Sequence, residues 1–87
     1  MDEPLELRRK RLIHRSLYTG TKETDLLLGS FARRYLPSFT LGQLERYERL
    51  LAAPDPDIFR WVTGQAPIPA RYRTDVMDLL RNFKNET

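Results

Sequence analysis

Thr19-Gly20-Thr21-Lys22-Glu23-Thr24-Asp25-Leu26-Leu27-Leu28-Gly29-Ser30-Phe31-Ala32 decides how this chain folds. A glycine that follows a helical pattern serves as a left-handed stop. The Thr21 hydroxyl then accepts an otherwise unpaired backbone N–H and opens the next helix. Glu23 falls in that helix's first turn, where the dipole favours an acid. Leu27, Leu28, Phe31 and Tyr35 recur at helical spacing and supply the inward face. The stretch therefore predicts a tight loop and a helix over 22–35. Gly29 inside that helix costs about 1 kcal/mol relative to alanine. Close packing against another helix is the expected reason, ahead of approach by a partner.

Working upstream, a first helix is expected over 4–17. Pro4 suits the first helical position after Asp2 and Glu3, and Leu5, Leu12, Ile13 and Leu17 make an approximate apolar stripe. Arg8, Arg11 and Arg15 are spaced three and four apart, so they line one face, and four more residues reach Thr19. Working downstream, Pro37 breaks the chain. Thr40 opens a third helix, with Gln43 at capping-box spacing and an apolar side of Leu41, Leu44, Tyr47, Leu50 and Leu51. Asp55 is expected to cap a short fourth helix with Pro56 as its first residue. In it Ile58, Trp61 and Val62 face inward, and Gly64 ends it. After the connector Pro67-Ile68-Pro69, a fifth helix is expected over 69–83 from the period of Tyr72, Val76, Leu79, Leu80 and Phe83. No strand pattern competes. The fold class is all-α, a compact five-helix bundle in one domain spanning 1–87, with frayed ends near 1–3 and 84–87.

Composition narrows the chemistry. The chain has 87 residues, no cysteine and one histidine, so thiolate and multi-histidine metal sites are excluded. Apolar runs such as Leu26 to Leu28 are far short of a membrane span. Neither a phosphate loop nor a dinucleotide glycine pattern is present, so no cofactor site is expected on this chain. His14 and Ser16 point to different sides of their helix, and no third group completes a catalytic set, so an enzyme is not expected. Asp55 and Asp57 read as helix-start acids rather than an acid–base pair. Trp61 and Phe59 read as core or core edge. Met1-Asp2-Glu3-Pro4 resembles neither a signal nor a transit sequence, which points to a bacterial cytosol ahead of a mitochondrial matrix. Net charge is +3, a mild excess suited to an acidic patch on a partner.

The order and spacing of these pieces resemble a known family. They are the small assembly factors that promote covalent FAD attachment to the flavoprotein subunit of succinate dehydrogenase, also called the succinate dehydrogenase assembly factor 2 family. Their signature is Arg-Gly-x-x-Glu followed by a leucine-rich helix. Gly20 and Glu23 match it, while Thr19 stands at the arginine position. Asp55-Pro56-Asp57-Ile58-Phe59-Arg60-Trp61-Val62 resembles a second family segment, and the likeness runs from about Arg8 to Phe83. The resemblance implies a small five-helix bundle that binds the flavoprotein subunit, or its fumarate reductase homologue, as a monomer. FAD then becomes attached to the partner and not to this chain. It also implies that Gly20 permits close backbone approach and that Glu23 acts at the contact. Arg8, Arg11, Arg15 and Thr19 complete the expected partner-binding face. The alternative is a small basic helical regulatory or nucleic-acid-binding protein. The first helix lacks the helix-turn-helix spacing and interleaved aromatics that this alternative wants.

Overall fold

In the computed structural model, which describes residues 3–86, the Thr21 cap forms as expected. Its Oγ1 accepts the Thr24 N–H at 3.3 Å, and the helix it opens, α2, spans Lys22–Tyr35. Before it lies α1, Leu5–Ser16, with Pro4 one position outside the helix rather than first in it. Pro37 closes α2 into a 3₁₀ turn, Leu36–Ser38. The Thr40 capping box is complete: Thr40 Oγ1 accepts from Gln43 N at 3.2 Å, and Gln43 Oε1 accepts from Thr40 N at 3.0 Å. It opens α3, Leu41–Leu51. Next comes α4, Asp55–Val62, and Gly64 follows it at φ +79° as the expected stop. A second 3₁₀ turn, Ala70–Tyr72, precedes α5, Asp75–Glu86. No strand occurs among the described residues.

Two ends differ from expectation for local reasons. Asp55 is the first residue of α4 rather than its cap, and its side chain caps nothing. Pro54 and Pro56 both carry helix-compatible φ, so either position satisfied the sequence rule. Helix α5 begins six residues later than the apolar period indicates. Arg73 leaves helical geometry at φ −83° and ψ 83°, and Thr74 Oγ1 then accepts from Met77 N at 3.3 Å. The helix also runs on through Glu86, past the frayed end expected from 84; Met1, Asp2 and Thr87 lie outside the described residues.

Phe31 of α2 ties the bundle together. Its ring lies 4.9 Å from Tyr35, 5.7 Å from Tyr47 of α3 and 5.8 Å from Phe83 of α5. Such pairs add about 0.5–1.5 kcal/mol each beyond their burial. Leu12, Leu28, Leu36, Leu44, Ile58, Val76 and Leu80 are fully enclosed around it. Gly29 packs as expected: a Cβ there would lie 2.7 Å from Leu17 Cδ2, so its absence lets the end of α1 lie against α2. Leu41, expected on the inner side of α3, is half-exposed at the helix start instead, and Leu5 is also partly exposed.

Ser16 is buried, and its Oγ lies 2.6 Å from the Tyr47 hydroxyl while donating to Leu12 O at 2.7 Å. Burial pushes the Tyr47 phenol well above the usual tyrosine range, against the Ser16 hydrogen bond that lowers it. Tyr47→Phe removes one buried hydrogen bond and leaves Ser16 a carbonyl partner. The expected cost is about 1 kcal/mol, read as a drop of roughly 4–8 °C in melting midpoint. An unchanged midpoint would show that the pair contributes nothing.

Candidate functional site

The loop between α1 and α2 is held by a residue that the sequence did not mark. Asp25 Oδ1 accepts from both the backbone N–H and the hydroxyl of Thr19. The Thr19 hydroxyl, then its N–H, together with the Gly20 N–H, hold the Asp25 carboxyl below the usual aspartate range despite some burial. Thr21 adds a second tie, its hydroxyl donating to Thr24 Oγ1 at 2.7 Å. Loop and first helical turn therefore form one hydrogen-bonded unit. Thr19, at the family's arginine position, is turned inward to Asp25 and is half-buried.

Gly20 sits at the top of this unit with φ +124°, a conformation L side chains rarely adopt. It is not the residue that ends α1, because Leu17 already closes that helix through His14 O and Arg15 O. A Cβ on Gly20 would lie 2.7 Å from Asp55 Oδ2, so the first turn of α4 comes hard against this loop. Burial pushes the Asp55 carboxyl up, the Asp25 charge adds to that, and Arg15 opposes both. Asp55 thus answers a different demand from the cap expected of it: its carboxylate borders the glycine. Asp57 turns away toward Arg60, 3.6 Å distant.

Since the Asp25 carboxyl is depressed in the fold, its contribution is present above the unfolded aspartate pKa and is lost as pH falls through the folded value. The Thr19 and Gly20 amide proton shifts are expected to titrate with a midpoint below the ordinary aspartate range, and Asp25→Asn to abolish that titration. A midpoint at the ordinary value would show that the loop is not tied by this carboxylate.

Glu23 projects from the first turn of α2 and is exposed. Among the described residues it takes no hydrogen bond or ion pair. It lines a groove of about 390 Å³ with Leu26, Leu27, Ser30, Phe59, Phe83 and Lys84. Leu26 is 63% exposed, an apolar side chain left outside the core stripe. That departure from the inward set was the available sign of the groove. Its other walls, Phe59 of α4 and Phe83 of α5, come together only through the tertiary fold.

The arginines of α1 have internal partners. Arg8 donates to Glu48 Oε1 from both Nε and Nη2, at 3.2 and 2.9 Å. Arg11 donates to Glu48 Oε2 at 3.0 Å and to Glu3. Arg15 donates to Leu51 O at 3.0 Å. Burial pushes the Glu48 carboxyl up, but the Arg8 and Arg11 hydrogen bonds outweigh it and the net shift is downward. The stripe thus fastens α1 to α3. Of the expected face, Gly20, Glu23 and Thr19 share one loop unit, and Arg15 borders it through its field at Asp55. Arg8 and Arg11 belong to the α1–α3 seam. His14 is exposed beside Tyr18, with ring centroids 5.0 Å apart. Among the described residues no group of three or more side chains is placed to hold a metal ion, and no helix is long and apolar enough to cross a membrane.

Among the described residues, five amphipathic helices around one aromatic-centred core, with a glycine loop and an acid that has no partner there above an apolar groove, define a small all-α protein with a built surface feature on one side. The chain belongs to the family described as flavinator of succinate dehydrogenase, whose model matches residues 10–84. It is 40% identical over 88 residues to succinate dehydrogenase assembly factor 2, mitochondrial, of Drosophila grimshawi, covering 99% of this chain and 60% of that protein. Identity to the assembly factor 2 of Dictyostelium discoideum, also named mitochondrial, is 42% over 83 residues, covering 94% of this chain and 59% of that one. For assembly factor 2-A of Drosophila ananassae it is 44% over 82 residues, covering 92% and 53%. The chain therefore spans between half and three fifths of the length of these relatives. Their names overturn the expected bacterial cytosol and point to the mitochondrion. Four residues, Met1 to Pro4, were too little to carry an address.

Proposed function

We propose that this protein is a binding factor that docks on the flavoprotein subunit of succinate dehydrogenase and promotes covalent attachment of FAD to that subunit. The observation that carries the reading is the exposed Gly20–Glu23 loop, whose Glu23 carboxylate has no partner among the described residues, in a chain of the flavinator family. Such a factor accelerates attachment by binding the attachment-competent arrangement of its partner more tightly than other arrangements. Holding flavin and acceptor side chain in alignment supplies the rate through positioning. The factor itself forms no bond and holds no flavin, and it acts as a single copy.

The contact face centres on Gly20 and Glu23. The stapled loop presents the Gly20 backbone without a side chain, and Asp25 fixes its orientation. Arg15 and Thr19 border the face. Arg8 and Arg11 would contribute only by sharing their Glu48 pairing with the partner. That same pairing weakens the nucleic-acid alternative, because Arg8 and Arg11, two of the cations such binding would use, already have a carboxylate partner in Glu48.

Pull-down with the tagged chain, followed by identification of the retained protein, tests the reading. The expected result is the flavoprotein subunit, with binding lost on Glu23→Ala. Retention on DNA that falls steeply with salt, without flavoprotein capture, would overturn it.

A further inference from the structure

Leu26, Leu27 and Ser30 lie three, four and seven residues after Glu23 along α2, so the four form a continuous strip on one helix face. The strip begins in the first turn of the helix that the Gly20 loop opens. Opposite it stand the half-buried rings of Phe59 and Phe83, and these side chains together with Lys84 enclose the groove of about 390 Å³. The two polar groups of the strip, Glu23 and Ser30, are exposed at the rim rather than buried in the floor. A small-molecule site fixes its ligand by convergent polar groups within it. This groove instead offers an apolar floor with a charged edge, which suits an amphipathic protein segment laid along it.

We propose that this groove seats an apolar side chain of the flavoprotein subunit, and that a lysine or arginine about one helical turn away on the same segment meets Glu23. This rests on the flavoprotein reading above and extends it from the loop to a second, apolar contact. Charge complementarity selects the occupant. Glu23 takes no hydrogen bond or ion pair from the described residues, so its carboxylate is available to a cation, while 63% of Leu26 is exposed immediately beside it. A second copy of this chain fits less well, because each copy carries a net charge of +3 and the two would repel. The apolar contact supplies residence time, and the acid–base contact supplies register and salt dependence.

The test measures the affinity of the purified flavoprotein subunit for the wild-type chain, Leu26→Ser, Glu23→Gln and the double variant, at two salt concentrations. Thermal melts establish that each variant folds, as the exposure of both side chains leads one to expect. Leu26→Ser is expected to weaken binding about tenfold or more with its salt dependence kept. Glu23→Gln is expected to weaken binding and flatten its salt dependence. The double variant is expected to lose less than the product of the two single losses, because both contacts hold one segment. Tight wild-type binding with Leu26→Ser unchanged would place the groove outside the contact and overturn the seat, while leaving the flavoprotein reading intact. Failure of the wild-type chain to bind the subunit would overturn both. Self-association of the chain that Leu26→Ser abolishes would assign the groove to a second copy and overturn the occupant.

Discussion

Gly20→Ala is expected to destabilise the fold by about 1–3 kcal/mol, the usual cost of holding a side-chain-bearing residue in sparsely populated backbone space. Two effects combine. The φ of +124° disfavours any L side chain, and the new Cβ would lie 2.7 Å from Asp55 Oδ2. The first cannot be relieved without unmaking the loop, because the Asp25 carboxylate fixes Thr19 on one side and the Thr21 cap fixes α2 on the other. The second is partly relievable, since a half-exposed carboxylate can swing away. Asp55→Ala in the Gly20→Ala background should therefore recover a minor part of the lost stability. Gly64 provides the control: its φ is also positive, at +79°, but nothing lies within 4 Å of its absent Cβ. Gly64→Ala carries conformational strain alone and should cost less. For a domain of this size each kcal/mol appears as roughly 4–8 °C in the melting midpoint. A Gly20→Ala chain that melts with the wild type would mean that the loop has room the structure does not show. Larger side chains at Gly20 must also push the start of α4 away, so lost partner binding should accompany lost stability.

Much of this architecture is legible in the sequence, because local chemistry fixed it. Thr21 and Thr40 are side-chain caps followed by strong apolar periods, and α2 and α3 begin where those caps put them. The start of α5 shows where periodicity misleads. Tyr72 and Val76 are four apart and both pack inward, yet Tyr72 ends a 3₁₀ turn, and the non-helical Arg73 and the capping Thr74 lie between them. A shared inward direction was mistaken for a shared helix. In the candidate site, Gly20 and Glu23 were visible because they match a motif. Asp25 was not, because an acid in a first helical turn already has a sufficient explanation in the dipole. Its hydrogen bonds to Thr19 run backward across the loop and follow from the loop's shape. The arginine stripe shows the converse. Spacing established that Arg8, Arg11 and Arg15 share a face, but only the packing of α1 on α3 reveals that Glu48 and the Leu51 carbonyl occupy it.

Glu23→Ala is expected to separate function from folding. The side chain is exposed and lacks a partner among the described residues, so its removal costs at most the dipole contribution of roughly 0.3–1 kcal/mol. At the proposed contact the same carboxylate meets a cation. A charge-assisted hydrogen bond of about 1.5–3 kcal/mol corresponds to a loss of roughly tenfold to over a hundredfold in affinity. Flavin attachment should fall in step wherever docking limits it. Glu23→Gln should behave similarly, since it keeps the shape and removes the charge. Gly20→Ala differs, because stability and docking then fall together.

The most direct test is covalent flavin on the partner. The flavoprotein subunit of succinate dehydrogenase would be produced without this chain, with the wild type, and with Glu23→Ala at matched levels, then denatured and read by in-gel flavin fluorescence. The account predicts a strong signal with the wild-type chain and a signal near the level without it for a folded Glu23→Ala variant. Full flavin attachment with Glu23→Ala, or equal attachment with and without the wild-type chain, would contradict it.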